Sequence, residues 1–128
     1  MGGHLDAKQQ RRVDEILAHM RTVEKVKRLV AELESNRAAR SMIIDGICSN
    51  IERELSQIRQ RALTSNIGTL GDQAGALAVL AGRGGAGVQI KIRGLGEGLN
   101  GIVMQLDQAL KTAMKGDADD DKGPPPAA

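Results

Sequence analysis

Residues 41–62, SMIIDGICSNIERELSQIRQRA, decide the fold. Ile44, Ile47, Ile51, Leu55, Ile58 and Ala62 recur there at steps of three and four. That spacing stacks side chains on one face of a helix and does not suit a strand, whose side chains alternate with period two. The segment therefore reads as an amphipathic helix, and the chain as all-α.

Upstream, from Leu5 to Leu33, a second stripe runs Val13, Ile16, Met20, Val23, Val26, Val30 and Leu33, while Arg11, Arg12, Glu15, Arg21, Glu24, Lys27 and Arg28 occupy the other faces. Glu24 and Arg28 stand four apart in the order that favours a helical ion pair. Extending either stripe through residues 35–41 would put Arg37 and Arg40 on a buried face, so a turn or a change of register is expected between the two helices. Ser35, Asn36 or Ser41 has the short polar side chain that caps a helix start. The pattern alone does not separate this turn from one unbroken helix.

Downstream of Thr64-Ser65-Asn66 the composition changes: only Gly46 interrupts residues 5–65, whereas glycine is frequent from Gly68 to Gly101. At helical spacing Gly68, Gly71, Gly75, Ala78 and Gly82 make a face of small residues beside an apolar face of Ile67, Leu70, Ala74, Leu77 and Ala81. Glycine in a helix costs about 1 kcal/mol relative to alanine, so such a face implies a close neighbour that compensates. Arg83-Gly84-Gly85-Ala86-Gly87 reads as a turn. Beyond it Val88, Ile92, Leu95, Leu99, Ile102, Leu106, Leu110 and Ala113 keep helical spacing through Gly94, Gly96, Gly98 and Gly101. Residues 88–93 alternate apolar and polar, so a short strand competes there, and the longer stripe favours helix.

The expected architecture is a helical hairpin or antiparallel bundle over residues 1–115. Its glycine-bearing helices pack closely, and the helices lie near 5–34, 37–65, 67–82 and 88–115. Residues 116–128, rich in Asp and Pro, have nothing to bury and are expected to form a disordered acidic tail. The chain contains no Phe, Tyr or Trp, so the core must be aliphatic, without the side chains that bury most area. That shortage points toward self-association.

Charge is mild but uneven. Residues 1–66 carry 12 Lys/Arg against 9 Asp/Glu, residues 67–115 carry 5 against 3, and the tail 1 against 4. One cysteine, Cys48, cannot close an internal disulfide, and no secretory segment or apolar run of about 20 residues is present, so a cytoplasmic setting is expected.

Few motifs carry chemistry. Gly82–Gly87 and Gly96–Gly101 both match G-x-G-x-x-G, but neither has the buried parallel strand that a dinucleotide site requires. His4 and His19 lie fifteen residues apart without metal-ligand spacing, and Cys48 has no cysteine partner. Cys48 reads as a buried thiol and His19 as a residue flanking the first seam. Asp45, Glu52 and Glu54 do not isolate a carboxylate pair on one apolar face, and no nucleophile motif occurs. Neither enzyme activity nor a cofactor is expected.

The function that fits is non-enzymatic: a helical assembly or adaptor protein binding copies of itself or another helical protein in coiled-coil fashion. The seam would use Ile44, Ile47, Ile51, Leu55 and Ile58, with Gly71, Gly75, Gly94 and Gly98 permitting close approach; the same residues also suit a monomer's core. The alternative is a small DNA- or RNA-associated regulator whose phosphate contacts come from Lys25, Lys27, Arg28, Arg37, Arg40, Arg53, Arg59 and Arg61. An amphipathic membrane-surface helix carrying Lys91, Arg93 and Lys111 ranks below both, because it lacks aromatic anchors.

Overall fold

The computed structural model describes residues 5–83 and 87–115. Four helices follow one another: α1 (Ala7–Ser35), α2 (Ser41–Ser65), α3 (Leu70–Gly82) and α4 (Val88–Lys115). No strand occurs among the described residues, and residues 88–93 are helical. The expected tail at 116–128 lies outside the described residues, as do His4 and the middle of the 83–87 turn.

Each helix packs on two others, α1 on α2 and α4, and α3 on the same two, so the helices form a ring in chain order. Long-range contacts show that neighbours run antiparallel. At the start of α1, Gln9 Nε2 donates to the carbonyl of Ala113 near the end of α4 (3.4 Å). Lys25 and Glu54 pair across α1 and α2. Thr69, just before α3, is tied to Gln105 of α4.

The ends of the helices follow local chemistry. Asp6 caps α1: its Oδ1 accepts from the Gln9 N–H (2.7 Å), and the Gln9 side chain accepts from the Asp6 N–H (3.1 Å). Asn36 closes the same helix by donating from Nδ2 to the Glu32 carbonyl (2.8 Å). The break at 35–41 is real, and α2 begins at Ser41 rather than near residue 37. Asn36 accepts from the Ala39 N–H in a tight turn, and Arg40 is extended. The expected serine or asparagine cap on α2 is absent. Arg40 occupies that position without a side-chain bond, and Asn36 serves the preceding helix instead. α3 likewise starts at Leu70 rather than near 67, because Asn66 (φ 52°) and Gly68 (φ 47°) adopt left-handed backbone that ends α2 and turns the chain.

The core is aliphatic throughout. Val13, Ile16, Val23, Val26 and Leu33 of α1 meet Ile47, Ile51, Leu55 and Ile58 of α2, with Leu70, Ala74, Leu77 and Ala81 of α3 and Leu95, Leu99, Ile102 and Leu106 of α4. Each buried Ile or Leu contributes about 1.5–3 kcal/mol relative to exposure. With 13 residues, α3 is about 20 Å long against about 43 Å for the 29 residues of α1. The ring of four is therefore complete only over the middle of the molecule.

Candidate functional site

The expected seam lies inside the protein. Ile47, Ile51, Leu55 and Ile58 are buried in the core, and only Ile44, nearer the start of α2, is partly exposed. The stripe that fixes α2 as a helix is thus occupied by the chain's own helices and presents no face to a partner.

The glycines act within the molecule as well. A Cβ at Gly71 would lie 3.3 Å from the Ala62 methyl, and one at Gly75 would lie 3.0 Å from Cδ of Arg59, so α3 approaches α2 where it has no side chains. On the other side, a Cβ at Gly94 would come within 2.6 Å of Leu80 Cδ2, and one at Gly98 would overlap the Leu77 side chain. The small-residue faces therefore serve two internal contacts, α3 on α2 and α4 on α3. Gly46 and Gly96 meet nothing.

The basic residues do not converge on one surface. Lys25 is bound to Glu54 (3.1 Å), and Arg61 donates to Thr22 Oγ1 (3.4 Å), which places both on the outer side of the α1–α2 groove. Arg28 and Arg53 are exposed, and Arg53 donates to Asn50 Oδ1 of its own helix. Lys27 stands about 200° around α1 from Lys25 and pairs with Glu24 (3.3 Å). Arg59 packs toward α3 against Gly75, and Arg37 and Arg40 lie exposed at the α1–α2 turn. Only Lys25 and Arg61 meet at the α1–α2 groove; the other six are dispersed.

Several residues escaped the sequence reading. Lys91, which pattern placed with Arg93 and Lys111 on a polar face, is buried, and its Nζ donates to Cys48 Sγ at 4.0 Å. Burial pushes the Cys48 thiol above its ordinary pKa, with Lys91 opposing the shift. Glu54 is buried against Lys25. Met42 and Ile43, in the first turn of α2, are 81% and 47% exposed. Three consecutive apolar residues, Met42-Ile43-Ile44, cannot all face one side of a helix, and that was the available signal.

A polar cluster ties α1 to the turn after α2. Arg12 donates through Nη1 to the Ser65 carbonyl and through Nη2 to the Asn66 carbonyl (3.1 Å). His19, fully buried, meets Ser65 Oγ through Nε2 at 3.2 Å. On the far side of the turn Gln105 Oε1 accepts from the Thr69 N–H (3.1 Å), and its Nε2 donates to Thr69 Oγ1 (2.9 Å). Beside it opens a cleft of about 470 Å³ lined by Arg12, Asn66, Ile67, Gly68, Gln105 and Thr112, among others.

Among the described residues no three His, Cys, Asp or Glu side chains gather to hold a metal, and no helix is long and apolar enough to cross a membrane. Compared with known proteins, the chain matches no family model, no curated protein and no solved structure.

Proposed function

We propose that this chain is a non-enzymatic helical assembly protein that binds further copies of itself. The observation that carries the reading is the pair Met42 and Ile43, 81% and 47% exposed at the head of α2. Isolated surface apolar residues are ordinary, but here two adjacent ones, followed by the half-buried Ile44, make an apolar step around the start of one helix rather than along one face, and their burial is favourable. The contact moves from the Ile47–Ile58 seam, which the core consumes, to this step. The setting would be a reducing cytoplasm, in which Cys48 stays a thiol.

Sedimentation velocity tests it. The wild-type chain is expected to run above its 13.6 kDa monomer mass, and the double variant Met42→Ser/Ile43→Ser as a monomer with unchanged helical circular dichroism. A wild-type chain that stays monomeric across the accessible concentration range overturns self-association. Undiminished association of the variant overturns this surface.

A second reading, nucleic-acid association, draws on Lys25 and Arg61 at the α1–α2 groove and on the exposed Arg28 and Arg53 of the same two helices. It requires phosphate contacts and hence steep salt dependence. Binding of a duplex that weakens on the order of tenfold between 50 and 200 mM salt, and is lost in Arg28→Ala/Arg53→Ala, is the expected result. Binding that is absent, or indifferent to both changes, removes it.

A further inference from the structure

Lys91 and Cys48 meet where the ring of four helices is incomplete. Gly82, the last residue of α3, lies against Glu52 of α2, one turn short of Cys48. Beyond that level α2 and α4 meet directly, and the stem of Lys91 reaches across. Lys91 is 7% exposed and Cys48 3%. Nζ stands 4.0 Å from Sγ, and among the described residues no carboxylate or carbonyl takes a hydrogen bond from it. Buried lysines are normally paired with an acid. Here a nitrogen that becomes nucleophilic on losing a proton is directed at a sulfur instead.

A thiol beside an amine has an oxidative chemistry that a solitary buried thiol lacks. Burial keeps Cys48 protonated in the closed chain, so hydrogen peroxide meets a thiolate there only during an opening of the fold. The sulfur then attacks one peroxide oxygen and the O–O bond breaks. Sulfur is oxidised to the sulfenic acid, and the departing hydroxide takes a proton and leaves as water. Reclosure sets the sulfenic acid against Lys91 and shuts out the second peroxide that would carry it on to the sulfinic acid. The Lys91 ammonium, having given one proton to solvent, attacks sulfur as the free amine. An S–N bond forms, the S–O bond breaks, and the hydroxyl leaves as water with a second amine proton.

We propose that Cys48 and Lys91 are a modification site, at which peroxide closes a sulfenamide crosslink that staples α2 to α4 across the ring. The two residues stand 43 apart in the chain, so the bond restricts the unfolded state as a disulfide would and raises stability. The staple is reversible. Two equivalents of a thiol reduce the S–N bond, returning the Cys48 thiol and the Lys91 amine, and leave as their own disulfide.

Peptide mapping of the full chain after prolonged exposure to hydrogen peroxide tests the staple. Trypsin without reductant is expected to release residues 41–53 joined to 84–93, uncut at Lys91 and about 2 Da lighter than the two peptides together, apart from oxygen taken up by Met42. Dithiothreitol should separate the pair and restore cutting at Lys91, and the bridged chain should unfold at higher urea than the same sample after dithiothreitol, which leaves methionine sulfoxides in place. In Lys91→Arg, which keeps a long cationic side chain without a nucleophilic amine, Cys48 should advance to the sulfinic acid. A wild-type thiol that stays free, or one that reaches the sulfinic acid as readily as in the variant, overturns the proposal. An unchanged urea midpoint in the bridged chain overturns the stapling role. Should Lys91→Arg fail to fold, the joined wild-type peptides decide: their appearance upholds the crosslink and their absence overturns it.

Discussion

At Gly98 an added methyl would strike Cγ and both methyls of Leu77, whereas at Gly46 it would meet nothing. Overpacking costs about 1–3 kcal/mol, and the helix propensity regained by alanine is about 1 kcal/mol. Gly98→Ala is therefore expected to lower the urea midpoint and Gly46→Ala to raise it by the equivalent of about 0.5–1 kcal/mol. A stabilised Gly98→Ala chain would show that α4 does not approach α3 as closely as described. Sequence marked Gly98 as a close-approach residue but could not name its neighbour, because a face of small residues is the same whether another helix of the chain or another molecule fills it. His19 shows a similar limit: spacing placed it beside the first seam, while its meeting with Ser65 depends on how α1 crosses α2.

At the scale of the helices, what was legible was set by periodicity. The stripes from Val13 to Leu33, Ile44 to Ala62 and Val88 to Ala113 became α1, α2 and α4, because a 3.6-residue repeat has one way to bury its apolar side. Starting points were less legible. Arg40 heads α2 without a side-chain cap, and the left-handed residues Asn66 and Gly68 delay α3. Charge placement was harder still. Lys91 carries a charge yet lies buried beside Cys48, where α2 and α4, on opposite sides of the ring, come together, and no pattern along one helix reports a contact across the bundle. For the same reason the eight basic residues read along the chain as one group and separate in space.

The state of Cys48 reports on the whole molecule. Its thiol is 3% exposed and held above its ordinary pKa by burial, so a reagent that needs the thiolate reaches it only through opening of the fold. Labelling by a maleimide at pH 7.5 is expected to run at least about 100-fold slower in the native chain than in urea. Comparable rates would show that the core around α2 is not closed. Such a measurement suits a protein without aromatic residues, which has no tryptophan emission to follow.

The ring of helices has one consequence for how the molecule comes apart. Three of its four seams join helices linked by short turns, but the seam between α1 and α4 closes over a separation of 104 residues, as the Gln9–Ala113 bond records. Relative to a five-residue turn, the entropy of closing that loop costs roughly 2–3 kcal/mol more. That entropic cost falls on the α1–α4 seam and on none of the other three. With residues 36–40 as the hinge, α1 is then the element that two copies would exchange, each lending its first helix to complete the other's ring.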